Sequence, residues 1–189
     1  AGIGIVAGCN SLIANSLGQN NKVAASIYSY NSLAYAFFLS IFITIIGTFF
    51  SYDLLKFMGS TDESITLSKE YTDIIFLGTI VFLILTSFNA VLYAQGDTKT
   101  YRNVLIVGVI LNIILNPIFI FGLFFIPAFG IAGLAISTVL IQLAACIYLY
   151  FKVNKTELKI IPKVSSFYIR RNFLLNIFNQ SMPITFALF

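Results

Sequence analysis

Asn112, Asn116 and Pro117 lie in the middle of a stretch, Asn103 to Phe151, that carries no charged side chain. Two asparagines at a spacing of four share one face of a helix. Pro117 has no N–H, so the carbonyl of Ile113 loses its helical partner. Thr138, on the next apolar segment, adds a hydroxyl. Counted from Arg102, Asn112 is about 15 Å and Asn116 about 21 Å deep; counted from Phe151, Thr138 is about 20 Å deep, at roughly 1.5 Å per residue. Two amide oxygens, a hydroxyl and a freed carbonyl are hard neutral ligands. They suit Na⁺ or a water-filled polar pocket. The same groups also suit plain hydrogen bonds between helices, and spacing alone leaves both readings open. Asn89 is a further amide at depth, fit either for an interhelical hydrogen bond or for a substrate contact.

Other chemistries lack their residues. The chain has no histidine, and Cys9 and Cys146 both fall in apolar segments, so no metal-ligand spacing or disulfide framework arises. No Asp, Glu or Lys occurs within the cores of the apolar segments, which excludes a midplane proton carrier among them. An enzyme is therefore not expected. Gly96-Asp97-Thr98 is too short, and lacks the strand–helix context, for a phosphate loop.

The elements that must position these groups are membrane helices. Of the 189 residues 59% are hydrophobic and 10% charged, with mean hydropathy +0.94. Such a composition predicts an all-α, polytopic transmembrane helix bundle. A crossing needs roughly 20 apolar residues, which predicts spans near Ala1–Leu17, Val23–Tyr52, Ile74–Ala94, Asn103–Ile126 and Gly130–Phe151. A sixth span begins near Asn172. Both ends fall inside apolar segments, so a fragment of a longer protein is expected. The first segment is too densely punctuated by Asn10, Ser11, Asn15 and Ser16 for a signal peptide.

The net charge of +4 is a topology signal rather than a nucleic-acid one. With alternating crossings, one side receives Lys22, Lys99, Arg102, Lys152, Lys155, Lys159, Lys163, Arg170 and Arg171, and the other only Lys56 and Lys69. Positive-inside bias makes the first side cytoplasmic. Gly18 is expected to cap the first helix, and Val23–Tyr52 to tilt or protrude. Asp53–Tyr71 reads as a polar outer connection, with a turn at Met58–Asp62 that leads to a new helix, capped by Thr61 or Asp62 and with Glu63 in its first turn. The outer hairpin Ile126–Gly130 is uncharged and must lie nearly flush with the membrane. Gly2, Gly4, Ala7 and Gly8, and again Gly130, Ala132, Gly133 and Ala135, are small-residue surfaces for close helix packing. The basic segment 152–171, with Pro162, reads as an inner linker facing anionic head groups.

The order of these features resembles the multidrug and toxic-compound extrusion (MATE) family of secondary transporters along essentially the whole chain. Gly4–Ser11 with Leu17–Lys22, Ala94–Thr100, Asn112–Gly122 and Gly130–Thr138 each resemble a family motif, in the family's order, and Pro183 stands where the seventh helix often has proline. The resemblance implies helices two to six of a two-lobe protein plus the start of the seventh. Residues 1–151 would be the N-lobe bundle without its first helix, 152–171 the inter-lobe linker, and 172–189 the start of the C-lobe. It implies export of organic cations in exchange for Na⁺ or H⁺ across a bacterial inner membrane. No organic cofactor is implied, and the partners would be a cationic small molecule, the lipid bilayer and the C-terminal lobe of the same chain. The implied cation site takes Asn112 and Thr138, with Pro117 as a structural kink. Asn116 stands where several members have an acid. Asn89 matches a position that lines the drug pocket in some members. A lipid-linked oligosaccharide flippase of the same superfamily is the nearest alternative; it would want Arg and Lys at depth, and this chain has none there. A non-transporting membrane scaffold is the other.

Overall fold

The computed structural model describes residues 2–123, 127–158 and 171–186. They form α1 (Gly2–Gly18), α2 (Lys22–Phe57), α3 (Asp62–Ala94), α4 (Lys99–Phe121), α5 (Ile131–Asn154) and α6 (Arg171–Phe186). Among them α2, α3 from Ser64, α4 and α5 are long and apolar enough to cross a membrane, and α1 is a shorter apolar helix. The all-α, polytopic expectation holds. Lys159, Pro162, Lys163 and Arg170 lie outside the described residues.

Helix α3 is the central post, packed against α1, α2 and α5, while α6 lies on α1 and α2. The shared core joins Ile5, Cys9 and Ile13 of α1 to Ala25 and Ala36 of α2, Val91 and Leu92 of α3, Leu149 and Val153 of α5, and Ile177 of α6. Helix α4 has α5 as its one substantial neighbour among the described residues.

Size, not polarity, sorts the faces. The buried residues of α2 are mostly small, Ala25, Ser29, Ser32, Ala36, Ser40, Gly47 and Ser51, with Asn31 as the larger exception. Its opposite face exposes Phe37, Phe38, Ile41, Phe42, Ile45 and Phe49. Ser29 and Ser40 donate to carbonyls of their own helix, at 2.9 Å to Ala25 and 2.7 Å to Phe37. Their hydroxyls are thus satisfied without widening the seam, and neighbouring backbones approach closely. Two bonds cross it: Ser87 Oγ donates to the Ser32 carbonyl at 3.1 Å and Thr44 Oγ1 to the Phe76 carbonyl at 2.7 Å. The expected small-residue contacts recur elsewhere. A Cβ on Gly8 would meet the Ser181 backbone nitrogen of α6 at 3.0 Å, and one on Gly133 the Phe119 carbonyl oxygen of α4 at 2.5 Å.

One expectation fails. Gly18 is not the cap beyond α1: it is the last helical residue, and Asn20 takes the left-handed conformation with φ 56°. The N–H of Asn21 reaches the Ser16 carbonyl and that of Asn20 the Leu17 carbonyl, both at 2.9 Å, a Schellman ending that asparagine tolerates. Asn21 then caps α2 by accepting from the Ala24 N–H at 2.9 Å. Asp53–Tyr71 is a connection only at its turn, and the new helix starts where the cap at Thr61 or Asp62 is expected. Helix α2 runs on to Phe57 and α3 starts at Asp62, leaving only the turn at 58–61. Nothing between Thr61 and Leu77 is glycine or proline, and a polar helix outside the bilayer costs little, so the helices simply outlast the membrane. Thr61 is the N-cap residue, but its hydroxyl pairs with Ser64 Oγ at 2.7 Å rather than with a backbone N–H. Helix α2, with 36 residues, is about 54 Å long at roughly 1.5 Å per residue, which agrees with the expected protrusion.

The connections at 19–21 and 95–98 and the end of α5 share the lysine-rich side. Lys22 Nζ meets Glu157 Oε2 there at 2.6 Å, and Lys152 acts on Asp97. The outer hairpin folds back on α4: Phe129 N–H donates to the Phe119 carbonyl at 3.0 Å and Gly130 N–H to that of Ile120 at 3.2 Å.

These glycines separate by role in a thermal-unfolding assay of the detergent-purified protein. Gly133→Val forces the α4–α5 seam apart and is expected to cost about 1–3 kcal/mol. Gly18→Ala, at a helical residue with nothing within 4 Å of its Cβ position, is expected to be neutral or to gain up to about 1 kcal/mol. A loss at Gly18 would contradict the Asn20 ending.

Candidate cation site on α4 and α5

Helix α4 begins at a cap built from the Gly96–Thr100 motif. Asp97 accepts from the Thr100 hydroxyl at 2.6 Å and from the Thr100 N–H at 2.9 Å. Those two bonds, aided by Lys152, hold its carboxyl below the usual carboxylate range. From that anchor the helix carries Asn112 and Asn116 outward, both half-buried, and continues through Pro117, which is exposed.

Asn116 reaches α5, where its Oδ1 accepts from Ser137 Oγ at 2.5 Å. The Leu134 carbonyl also lies 3.0 Å from that hydroxyl, so the two acceptors compete for its single proton. Thr138, the next residue, donates instead to the Leu134 carbonyl at 2.8 Å. Asn112 donates its amide to the Gly108 carbonyl of its own helix at 3.1 Å. The expected levels are therefore right, since Asn116 and the Ser137–Thr138 step meet. The partner is Ser137, which sequence reasoning passed over. Helical phase could have found it: Ser137 and Ile141 are four apart, and Ile141 faces Gly108 of α4, whereas Thr138 is turned away by about 100°.

The electrostatic result is an uneven oxygen set. Asn116 Oδ1 has one lone pair engaged by Ser137. Asn112 Oδ1 remains an acceptor because its amide nitrogen carries the helix bond, and the Thr138 hydroxyl keeps its lone pairs. Half-buried Gln142, one turn beyond Thr138, adds an amide on that side of α5 that was also missed. Among the described residues no charged side chain stands at these levels.

Asn89 is elsewhere. It is 5% exposed, and its Oδ1 is buried with no hydrogen-bond partner. Its spacing on α3 aligns it with Thr86, which faces Gly2 of α1, and with Gly78, which faces Val139 of α5. It does not join the α4–α5 group. Between the inner halves of α4 and α5 runs a groove of about 360 Å³, walled by Val104, Val107, Leu111, Ile141 and Ala144, with Asn103 and Tyr148 also in its lining. Gly108, one turn from Asn112, also lines it.

The MatE family model matches residues 1–118. The chain belongs to the MatE family. A probable multidrug resistance protein, YoeA of Bacillus subtilis, is 31% identical over 155 residues, covering 82% of this chain and 34% of that protein. A multidrug resistance MATE family transporter of the MOP superfamily, solved in an inward-facing conformation, is similar with TM-score 0.86 and 26% identity, over 96% of this chain and 41% of that one. An outward-facing conformation of such a transporter gives TM-score 0.84 and 27% identity, over 96% and 40%. The chain thus spans about a third of the MatE relative's length and about two fifths of the solved MATE chains. The solved MATE proteins are transporters, not enzymes.

A double-mutant cycle tests the α4–α5 link. Ser137→Ala and Asn116→Ala should each lower stability by about 0.5–1.5 kcal/mol. The pair should show coupling near 0.6 kcal/mol, at most about 1.7, as interhelical hydrogen bonds in membranes do. Additive losses in thermal unfolding would mean that the two side chains do not act together.

Proposed function

We propose that this chain is most of the N-terminal lobe of a secondary transporter of the bacterial inner membrane, which exports organic cations in exchange for Na⁺ or H⁺. Residues 1–151 form the lobe's bundle, 152–171 the cytoplasmic linker and 172–189 the start of the second lobe. Family membership supports the transporter class. The observation that carries the coupling role is the meeting of Asn116 with Ser137 beside Thr138, at membrane depth and without any charge.

The open oxygen of Asn112 and the remaining lone pair of Asn116 share one face of α4 and suit Na⁺; Thr138, turned about 100° from that seam, joins them in this reading through a rotation of α5. A neutral set gives a weak site, which a transporter needs in order to release its ion on each cycle. Because no titratable group stands with them, a proton would need an acid from outside the described residues. Asn89 is a substrate contact in this reading; its unpaired carbonyl costs about 1–3 kcal/mol, a cost that a hydrogen-bonding solute would relieve. The near-equal likeness to inward- and outward-facing transporters, at TM-scores 0.86 and 0.84, supports a lobe that rocks as one body.

The test is efflux of ethidium from cells lacking their own pumps, with the Na⁺ or the proton gradient collapsed in turn. Gradient-dependent efflux is expected, and its absence under both gradients would overturn the proposal. Thr138→Val should express normally and raise the Na⁺ concentration for half-maximal efflux about tenfold, the equivalent of about 1.4 kcal/mol. A scaffold would give no efflux to perturb.

A further inference from the structure

Asp73 is an acid inside the bundle's outer end. The contacts of Gly78 with Val139 and of Phe88 with Tyr150 set α3 beside α5 in parallel register. That register puts Asp73 level with Leu134 and Ala135, about one turn below the outer start of α5. The side chain is half-buried, and its Oδ1 is walled in by protein with no hydrogen-bond partner. Lys69, one turn farther out on the same face, is exposed and does not bond that oxygen. The open edge left to the carboxylate is Oδ2. Its charge must be answered there by a donor from outside the described residues.

Below Asp73 the same face of α3 continues inward as Leu77, Ile80, Ile84 and Phe88. These residues line two grooves against α2, one above the other. The outer groove, of about 170 Å³, has Ile41 and Ile45 on its far wall, and the inner, of about 420 Å³, has Phe37 and Phe38. Ser40 and Thr44 also line the outer groove, but their hydroxyls are spent on the Phe37 and Phe76 carbonyls. The furrow therefore offers almost only apolar surface. On α3, Phe76 meets Gly47 of α2, Gly78 meets α5 and Thr86 meets Gly2 of α1. At about 100° per residue, the furrow falls in the arc between the α2 and α5 contacts, opposite the α1 contact.

We propose that this furrow seats an outer-leaflet phospholipid with a primary-amine head group, its acyl chain along Leu77, Ile80 and Ile84 and its ammonium on Asp73. The sign of the head group follows from the carboxylate and its surroundings. The outer side carries Asp53, Asp62, Glu63 and Glu70 beside Asp73, against Lys56 and Lys69, which disfavours a purely anionic lipid. The need for N–H follows from the hydrogen bonds that the protein leaves unmade: a quaternary ammonium has the charge but no proton to donate. Lys69 then stands ready for the phosphate of the same head group, so a zwitterion answers both side chains. The site needs the bundle in a membrane; it does not need a transported solute.

The test is native mass spectrometry of the full-length protein, stripped of lipid in mild detergent and titrated with dioleoyl phosphatidylethanolamine or dioleoyl phosphatidylcholine. For the first lipid bound, the ethanolamine head is expected to hold about tenfold more tightly. Asp73→Asn should bring that ratio near unity and leave thermal unfolding of the lipid-free protein unchanged. Lys69→Gln should weaken both lipids alike, and so should Leu77→Trp, which fills the furrow. Equal affinity for the two lipids, or a ratio that survives Asp73→Asn, would overturn the proposal, as would tighter binding of dioleoyl phosphatidylglycerol. Lower lipid-free stability in Asp73→Asn, with no lipid preference in the parent, would mean that a further protein segment meets the carboxylate, and the lipid would again be ruled out. If Asp73→Asn fails to fold, Leu77→Trp decides: unchanged binding there would place the lipid elsewhere, and weakened binding with the parent's ratio intact would uphold the furrow.

Discussion

Everything in this bundle depends on how closely two helical backbones can approach where no water competes for them. In hydrocarbon, burying apolar surface gives little net drive, because lipid tails are as apolar as leucine. Contact must come from fit. Helix α2 achieves it with a seam of Ala, Ser and Gly along its whole length, and α1 and α5 do so at Gly8 and Gly133. Serine serves here because its hydroxyl returns to its own helix and occupies almost no extra room.

Much of this is legible in the amino-acid sequence. Charge placement and span lengths gave the helices and their alternation, since hydrocarbon tolerates few other solutions. The depth match between Asn116 and the start of the next span was arithmetic on the helical rise. The unread parts have physical causes. The seam of α2 escaped notice because its outer face is as apolar as its inner one, so hydrophobic patterning carries no phase there. The turn at 58–61 and the helix start after it are legible from Gly59 and the Thr61 cap, whereas how far α2 and α3 run beyond the apolar spans is not, because polar residues mark the membrane's edge and not the helix's end. Asn20 took the left-handed place from Gly18 because asparagine accepts it when the two following N–H bonds are better placed. Ser137 was hidden by its neighbour Thr138, and only the angular position on α5 distinguishes them.

The inner rim adds a second, weaker layer of order. The Lys22–Glu157 pair is 66% and 73% exposed, so its contribution to stability is small. Its use is geometric: with Asp97 near Lys152 it gathers the inner connections on one side of the bundle. The Asp97 cap fixes where α4 begins, and therefore the depth at which its amides arrive.

Helix α4 leans on α5 and on little else, and the two are stitched at the outer turn by Phe129 and Gly130 and lower down by Asn116 and Ser137. Such a hairpin is a natural unit of biogenesis. Leaving the translocon alone, α4 would carry two amides and a proline gap into lipid with nothing to answer them. Leaving together with α5, it brings a partner for the deeper amide already in place. Paired release thus lowers the barrier to insertion, and the bond that joins Asn116 to Ser137 in the mature fold also eases the helix into the membrane in the first place.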